Sequence, residues 1–201
     1  QTPETLEAKP FTSDNRMDSS FLPLFDGKHI ARYALLWKEN NWVKYGPWIA
    51  EPRKPEKYEG EKLLIRKIVG KTLIATYYAD TSYCNTLLYV LKLKPTTALT
   101  YLYLLGILNS QFVGWYFRRK FQISDTDTFP QIMIRDILRL PVPHRGKSDH
   151  DRVAKLVERM LDLHKQLAAA KVPDDKTRIQ RQIDATDKQI DQLVYALYGL
   201  T

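Results

Sequence analysis

Arg118, Arg119 and Lys120 are three consecutive cations, and the stretch after them carries Gln122, Thr126, Thr128 and Gln131. Guanidinium and ammonium groups suit phosphate oxygens, while amide and hydroxyl side chains can donate to and accept from base edges. The whole run from Tyr116 to Pro143, YFRRKFQISDTDTFPQIMIRDILRLPVP, has no pairing of nucleophile and base. It reads as a positive, hydrogen-bonding loop presented to an acidic partner, with nucleic acid as the first candidate. Two further basic stretches could join it. Lys28 and Arg32 flank Ile30, and Arg66 and Lys67 are neighbours in a β-type run. Adjacent strand residues point to opposite faces, so one of Arg66 and Lys67 is expected to be exposed. Positive charge at a helix C-terminus is favourable by about 0.3–1 kcal/mol, but three cations in a row exceed what that effect needs.

Catalytic motifs are missing. The sequence contains no Asn/Asp-Pro-Pro-aromatic tetrapeptide, no Gly-x-Gly after a strand and no phosphate-binding P-loop, so methyl transfer by this chain alone is not expected and no enzyme activity is assigned to it. The four histidines, His29, His144, His150 and His164, have spacings unlike a metal-ligand set, and His164 lies on a helical apolar stripe as a packing residue. No metal site and no catalytic residue is assigned. Cys84, the single cysteine, excludes an intrachain disulfide and a Cys-rich zinc site, and it is expected to be structural.

Composition narrows the class. Of 201 residues, 44% are hydrophobic and 27% charged, as in a globular protein with a sizeable core. The formal charge of +8 lies wholly within residues 1–147, because residues 148–201 balance nine cations against nine acids. A basic binding domain joined to a neutral structural element fits that asymmetry. No run of about 18 apolar residues and no export signal is seen, so the expectation is a cytoplasmic chain with no membrane partner. The polar start at Gln1 reads as a cut from a larger protein.

Residues 1–20 read as a linker or arm, 21–145 as the recognition domain, and 148–201 as a helical hairpin. Short strands are expected at LLIRKIV, TLIATYY and LLYVLKL, the first two as a hairpin, and another at Ile132–Ile134. Between them, Thr96 and Thr97 should cap one buried helix that runs through LLGILNSQFVGWYFRRKF and ends in the three cations. Pro141 and Pro143 end the domain. Val153, Leu156, Val157, Met160, Leu161, His164 and Leu167 then form one helical stripe, and Ile179, Ile183, Thr186, Ile190, Leu193 and Leu197 form a heptad seam. The fold class is therefore α+β: a small mixed twisted sheet with flanking helices, followed by an antiparallel helical hairpin. Its seam could face another segment of a parent chain or a second copy in self-association.

The phrases PLFDGKHIARY, KLLIRKI, YCNTLLYVL, LLGILNSQFVGWYFRRKF, FPQIMIRDILRLPVP and KQIDQLVYALYGLT, in this order, resemble the TaqI-like C-terminal specificity domain of adenine-specific DNA methyltransferases, including fused type IIG restriction-modification enzymes. The last phrase is also similar to the helices of type I specificity subunits. The resemblance covers about residues 21–201. It implies a target-recognition domain that docks on double-stranded DNA and positions a separate adenine-N6 methyltransferase domain of the same parent chain. S-adenosylmethionine, and Mg2+ if a nuclease is fused, would then belong to the parent and not to this segment. In that reading Lys28, Arg32, Arg118, Arg119, Lys120 and one of Arg66 or Lys67 contact phosphates, and Gln122, Thr126, Thr128 and Gln131 are candidates for base edges. The competing reading is a helical protein-interaction or oligomerisation module whose basic face is incidental.

Overall fold

The computed structural model describes residues 11–49, 51–121, 130–143 and 146–200. Its centre is a three-stranded antiparallel sheet in the order β7-β6-β9, with β6 at Lys62–Arg66, β7 at Ala75–Tyr78 and β9 at Leu88–Leu91. The expected hairpin is present, with Leu63 opposite Tyr77 and Ile65 opposite Ala75. Leu63, Leu64 and Ile65 are all buried, as a central strand covered on both faces requires. Leu63 and Ile65 join the main core with the helices, whereas Leu64 and Leu88 meet Phe25 and Ile30 on the other side.

That other side is built by five short strands. β1 is Thr12–Ser13, β2 Phe21–Phe25, β3 Ile30–Ala31, β4 Ala34–Leu35 and β5 Trp42–Lys44. With β8 at Tyr83–Cys84 they form a sheet in the order β1-β5-β2-β8, whose β2–β8 pair is parallel, and a separate β3-β4 ribbon. The fold is thus mixed α+β, as expected. Thr12 and Ser13, inside the stretch read as an entering arm, pair with Val43 and Trp42.

The first departure of the helices from expectation follows β9. Instead of one long helix there are two, α1 at Tyr101–Asn109 and α2 at Gln111–Lys120. Thr100, not Thr96 or Thr97, caps α1, its hydroxyl accepting from the Tyr103 N–H at 3.3 Å. Ser110 is extended, with φ −66° and ψ 152°, and serves both helices. Its hydroxyl donates to the Ile107 carbonyl at 2.8 Å and accepts from the Val113 N–H at 3.2 Å. An N-cap serine stabilises a helix start by about 1 kcal/mol, enough to let α2 begin on a new axis.

Ile132–Ile134 does not form the expected strand. A single antiparallel bridge joins Ile68 to Gln131, and the one-turn helix α3, Ile134–Ile137, follows. The exit at Pro141–Pro143 is pinned by two tyrosines, Tyr103 donating to the Pro143 carbonyl at 2.8 Å and Tyr198 to that of Pro141.

The hairpin consists of α4, Lys147–Ala169, and α5, Pro173–Leu197. Proline suits the first turn of α5, where its missing N–H costs nothing. Ile179, Ile183, Thr186, Ile190, Val194 and Leu197 are buried along α5, so Val194 and not Leu193 continues the seam. Buried Val153, Val157, Met160 and Leu163 of α4 complete it. These side chains belong to the same core as Leu105, Ile107 and Leu108 of α1. The seam is closed between α4 and α5, and α4 in turn crosses α1 closely: a Cβ on Gly106 would lie 2.7 Å from Val153 Cγ1 and 2.9 Å from Val157 Cγ2.

Lys62 is fully buried, its ammonium donating to the carbonyls of Tyr58 at 2.7 Å, Gly60 at 3.0 Å and Asp80. Burial pulls its pKa down to about 8, leaving it charged at neutral pH, and the Tyr78 ring lies 5.1 Å away. Lys62→Met keeps the stem and removes the donors, stranding three carbonyls. We expect a loss of about 2–3 kcal/mol in urea unfolding, since unmet buried polar groups cost about 1–3 kcal/mol each and some will recruit water. A loss below about 0.5 kcal/mol would show that the ammonium is not needed to hold these loops.

Candidate nucleic-acid interface

All the sequence-predicted basic residues but Arg32 lie in or beside one turn, residues 66–72, which begins at the last residue of β6. Arg66 shares the face of Leu64 and runs beside the tight turn Gly27–His29, where a Cβ on Gly27 would sit 4.0 Å from Arg66 Nε. Lys28 projects outward from that turn and is exposed. The turn is held by His29, whose Nδ1 accepts the Asp26 N–H at 3.0 Å. Burial lowers the His29 pKa, which favours the neutral ring that this acceptor role needs.

Lys67, half-buried, bridges two segments through its main chain. Its N–H donates to the Leu87 carbonyl at 2.8 Å, and its carbonyl accepts the Ile132 N–H at 2.9 Å. The Val69 N–H donates to the Pro130 carbonyl at 3.0 Å, so exposed Gln131 sits against the same turn. Gln122, Thr126 and Thr128 lie outside the described residues.

The end of α2 docks on this turn as well. Arg118 donates to the Gly70 carbonyl at 3.1 Å, and Gly114 lies so close that a Cβ there would be 2.7 Å from Thr72 Cα and 2.9 Å from the Lys71 oxygen. Arg119 and Lys120 are exposed, with the Arg119 guanidinium 5.9 Å from the Trp115 ring centre. The three consecutive cations are therefore unlike one another. Arg118 ties helix to turn, Arg119 rests on an aromatic face, and Lys120 projects.

Arg32 is elsewhere. Its guanidinium makes two bonds to the Asp187 carboxylate, at 2.7 and 3.0 Å, and one to the Asn109 carbonyl at 2.7 Å. A group so occupied at the junction of β3, α1 and α5 has little left for a phosphate. Lys71, Arg135 and Arg139, all exposed and close in chain to this turn or to Gln131, were not singled out from sequence. Lys71 had been visible as a turn residue between two strands, and turn residues are well placed to reach a ligand.

Burial raises the Cys84 thiol to about 11, which makes it a poor nucleophile at neutral pH. Among the described residues no group of three His, Cys, Asp or Glu side chains could hold a metal ion. No helix of the described residues is long and apolar enough to cross a membrane.

A family model described as the TaqI-like C-terminal specificity domain matches residues 22–142, more than half of the chain. The chain belongs to this family. The matched region runs from β2 to the LPVP exit and includes every basic residue gathered around the 66–72 turn. Two known proteins resemble the specificity domain over most of its length. A Methanocaldococcus jannaschii protein whose assigned name is type II restriction enzyme and methyltransferase is 28% identical over 96% of this chain, which spans 16% of that relative's length. A solved structure of the type IIL restriction-modification enzyme MmeI in complex with DNA superposes with a TM-score of 0.64, at 9% identity, over 92% of this chain and 29% of that one. That likeness extends the shared fold past residue 142 into the helical hairpin.

Proposed function

We propose that this specificity domain is the DNA target-recognition part of a restriction-modification enzyme and positions a separate catalytic domain of the same parent chain on its site. The single observation that carries the reading is the convergence of Lys28, Arg66, Lys67, Lys71, Arg119 and Lys120 around one turn of a matched specificity domain. In this reading those cations contact phosphates and set register. Gln131, with Gln122, Thr126 and Thr128 earlier in the sequence, offers hydrogen bonds to base edges. Arg32 and Arg118 act indirectly, the first by fixing the helical hairpin and the second by fixing the end of α2.

The reaction we propose for the parent is transfer of a methyl group to adenine N6. S-adenosylmethionine, and Mg2+ where a nuclease is fused, are assigned to its catalytic part and not to this chain. The rival reading, a helical docking module, needs an open seam. Here the seam is closed between α4 and α5 within the main core, and Val153, Val157 and Ile190 are fully buried.

Phosphate contacts release counterions, so affinity should fall linearly with salt on a log-log plot. Arg119→Ala combined with Lys120→Ala should reduce the magnitude of that slope by about two, one for each cation, in fluorescence anisotropy with a labelled duplex. A slope equal to that of the parent sequence would remove these two residues from the interface.

A further inference from the structure

The segment after Gln131 carries an unusual surface. Met133, Ile134 and Leu138 are 45%, 54% and 76% exposed, and Leu138 is the most exposed large apolar side chain among the described residues. They form a ridge on α3 and its flanks, with Arg135 and Arg139 set between and beyond them, both exposed. The ridge is held firmly. Ile137 and Leu140 of the same segment are buried, the Ile132 N–H donates to the Lys67 carbonyl, and the Tyr89 hydroxyl donates to the Ile132 carbonyl at 2.9 Å.

The geometry points to this ridge as an apolar wedge that enters a DNA groove against sugars and base faces while Arg135 and Arg139 reach the flanking phosphates. The inference rests on the target-recognition reading and gives it a contact that neither the cations nor the polar side chains supply. Charge selects the occupant. Among the described residues of Lys67–Lys71, Arg118–Lys120 and Gln131–Arg139, the one acid is Asp136, whose side chain is only 13% exposed and lies 3.8 Å from Arg135. Apolar side chains in a cationic surround match a polyanion with apolar internal faces. Met, Leu and Ile are also among the side chains that proteins insert at base steps. Continuity with the 66–72 turn, through the Ile68–Gln131 bridge, places the ridge beside the proposed phosphate contacts.

Salt separates the two kinds of contact. Binding of the 201-residue chain to a mixed-sequence duplex of about two helical turns is followed by anisotropy across a salt series. Ile134→Ala with Leu138→Ala should weaken binding about fivefold or more at every salt concentration and leave the slope unchanged, because apolar contacts release no counterions. Arg135→Ala with Arg139→Ala should instead lower the slope. Thermal unfolding of the apolar variant should match the original, since both side chains are exposed. Binding by the unaltered chain together with undiminished binding by the apolar variant overturns the wedge alone. Failure of the unaltered chain to bind duplex overturns the target-recognition reading and the wedge with it.

Discussion

Asp187→Ala is expected to lower the stability of this chain by about 3 kcal/mol, the scale seen when one partner of a largely buried pair is removed. For a chain of this size that is a fall of roughly 6–12 °C in melting temperature. The side chains of Arg32 and Asp187 are only 25% and 23% exposed, so the Arg32 charge would keep its burial and lose its counterion. Its Nε already lacks a hydrogen-bond partner, and of its hydrogen bonds only the one to the Asn109 carbonyl would remain, with the Asp191 charge and the Tyr33 ring nearby. The loss would spread, because Asn109 also donates to the Ala75 carbonyl at 3.0 Å and accepts the Ala75 N–H at 2.9 Å. One carboxylate on α5 thus fixes β3, α1 and β7 together. Arg32→Met with Asp187→Leu should recover much of the deficit, since an apolar pair of similar volume often matches an ion pair. Equilibrium unfolding in urea checks both variants. A cost under about 1 kcal/mol for Asp187→Ala would mark the pair as a screened surface contact instead.

The second large effect is expected at Gly114. In a helix interior glycine is about 1 kcal/mol worse than alanine, so Gly114→Ala ought to stabilise α2. Sterics reverse that sign. The new methyl would meet Thr72 Cα at 2.7 Å and the Lys71 oxygen at 2.9 Å, and both are backbone atoms that cannot rotate away. Overpacking of this kind costs about 1–3 kcal/mol, and relief requires α2 to lift from the 66–72 turn. That movement would part Arg118 from Gly70 and carry Arg119 and Lys120 away from Lys67 and Lys71. Gly114→Ala should therefore lose both stability and duplex affinity, measured by denaturation and by anisotropy on the same preparation. A more stable variant with undiminished affinity would show that this close approach is not what seats the cations.

Much of the architecture could be read from pattern. The β6–β7 hairpin was visible because β-branched and aromatic runs alternated with a Gly-Lys turn, and α4 and α5 because their apolar spacings were long and regular. What was hidden depended on tertiary partners. Ser110 could have been recognised as an N-cap within the run LNSQF, yet the apolar residues on either side kept helical spacing, so one helix seemed sufficient. Nothing local distinguishes Arg32 from Lys28; only Asp187, far along the chain, removes it from the surface. Lys62 closes a polar stretch with no period that reads as surface loop, and its burial depends on carbonyls supplied by two separate loops. At the candidate site, the three cations were evident but their different duties were not. Helical spacing cannot show that Gly70 and Trp115 would be within reach.

The loop at residues 51–61 has no hydrophobic period, yet its main chain is gripped at several points. The Tyr45 hydroxyl bonds to both the N–H and the carbonyl of Arg53, at 2.6 and 2.8 Å, and Lys92 donates to the carbonyls of Glu56 and Glu59, at 2.9 and 2.8 Å. Lys62 takes those of Tyr58 and Gly60. Every one of these grips holds peptide atoms, and none depends on what the loop residues carry beyond Cα. The path of the loop is thereby set largely by its main chain; the exceptions are Gly60 and Glu51, at φ +59° and +51°, Tyr58, whose ring packs on Tyr45 and Tyr83, and Glu61, whose carboxylate accepts from the Tyr77 hydroxyl. Such a segment can exchange its remaining side chains in a combinatorial library while its path stays constant. A scaffold of that kind lets the outward side chains evolve at little cost to folding.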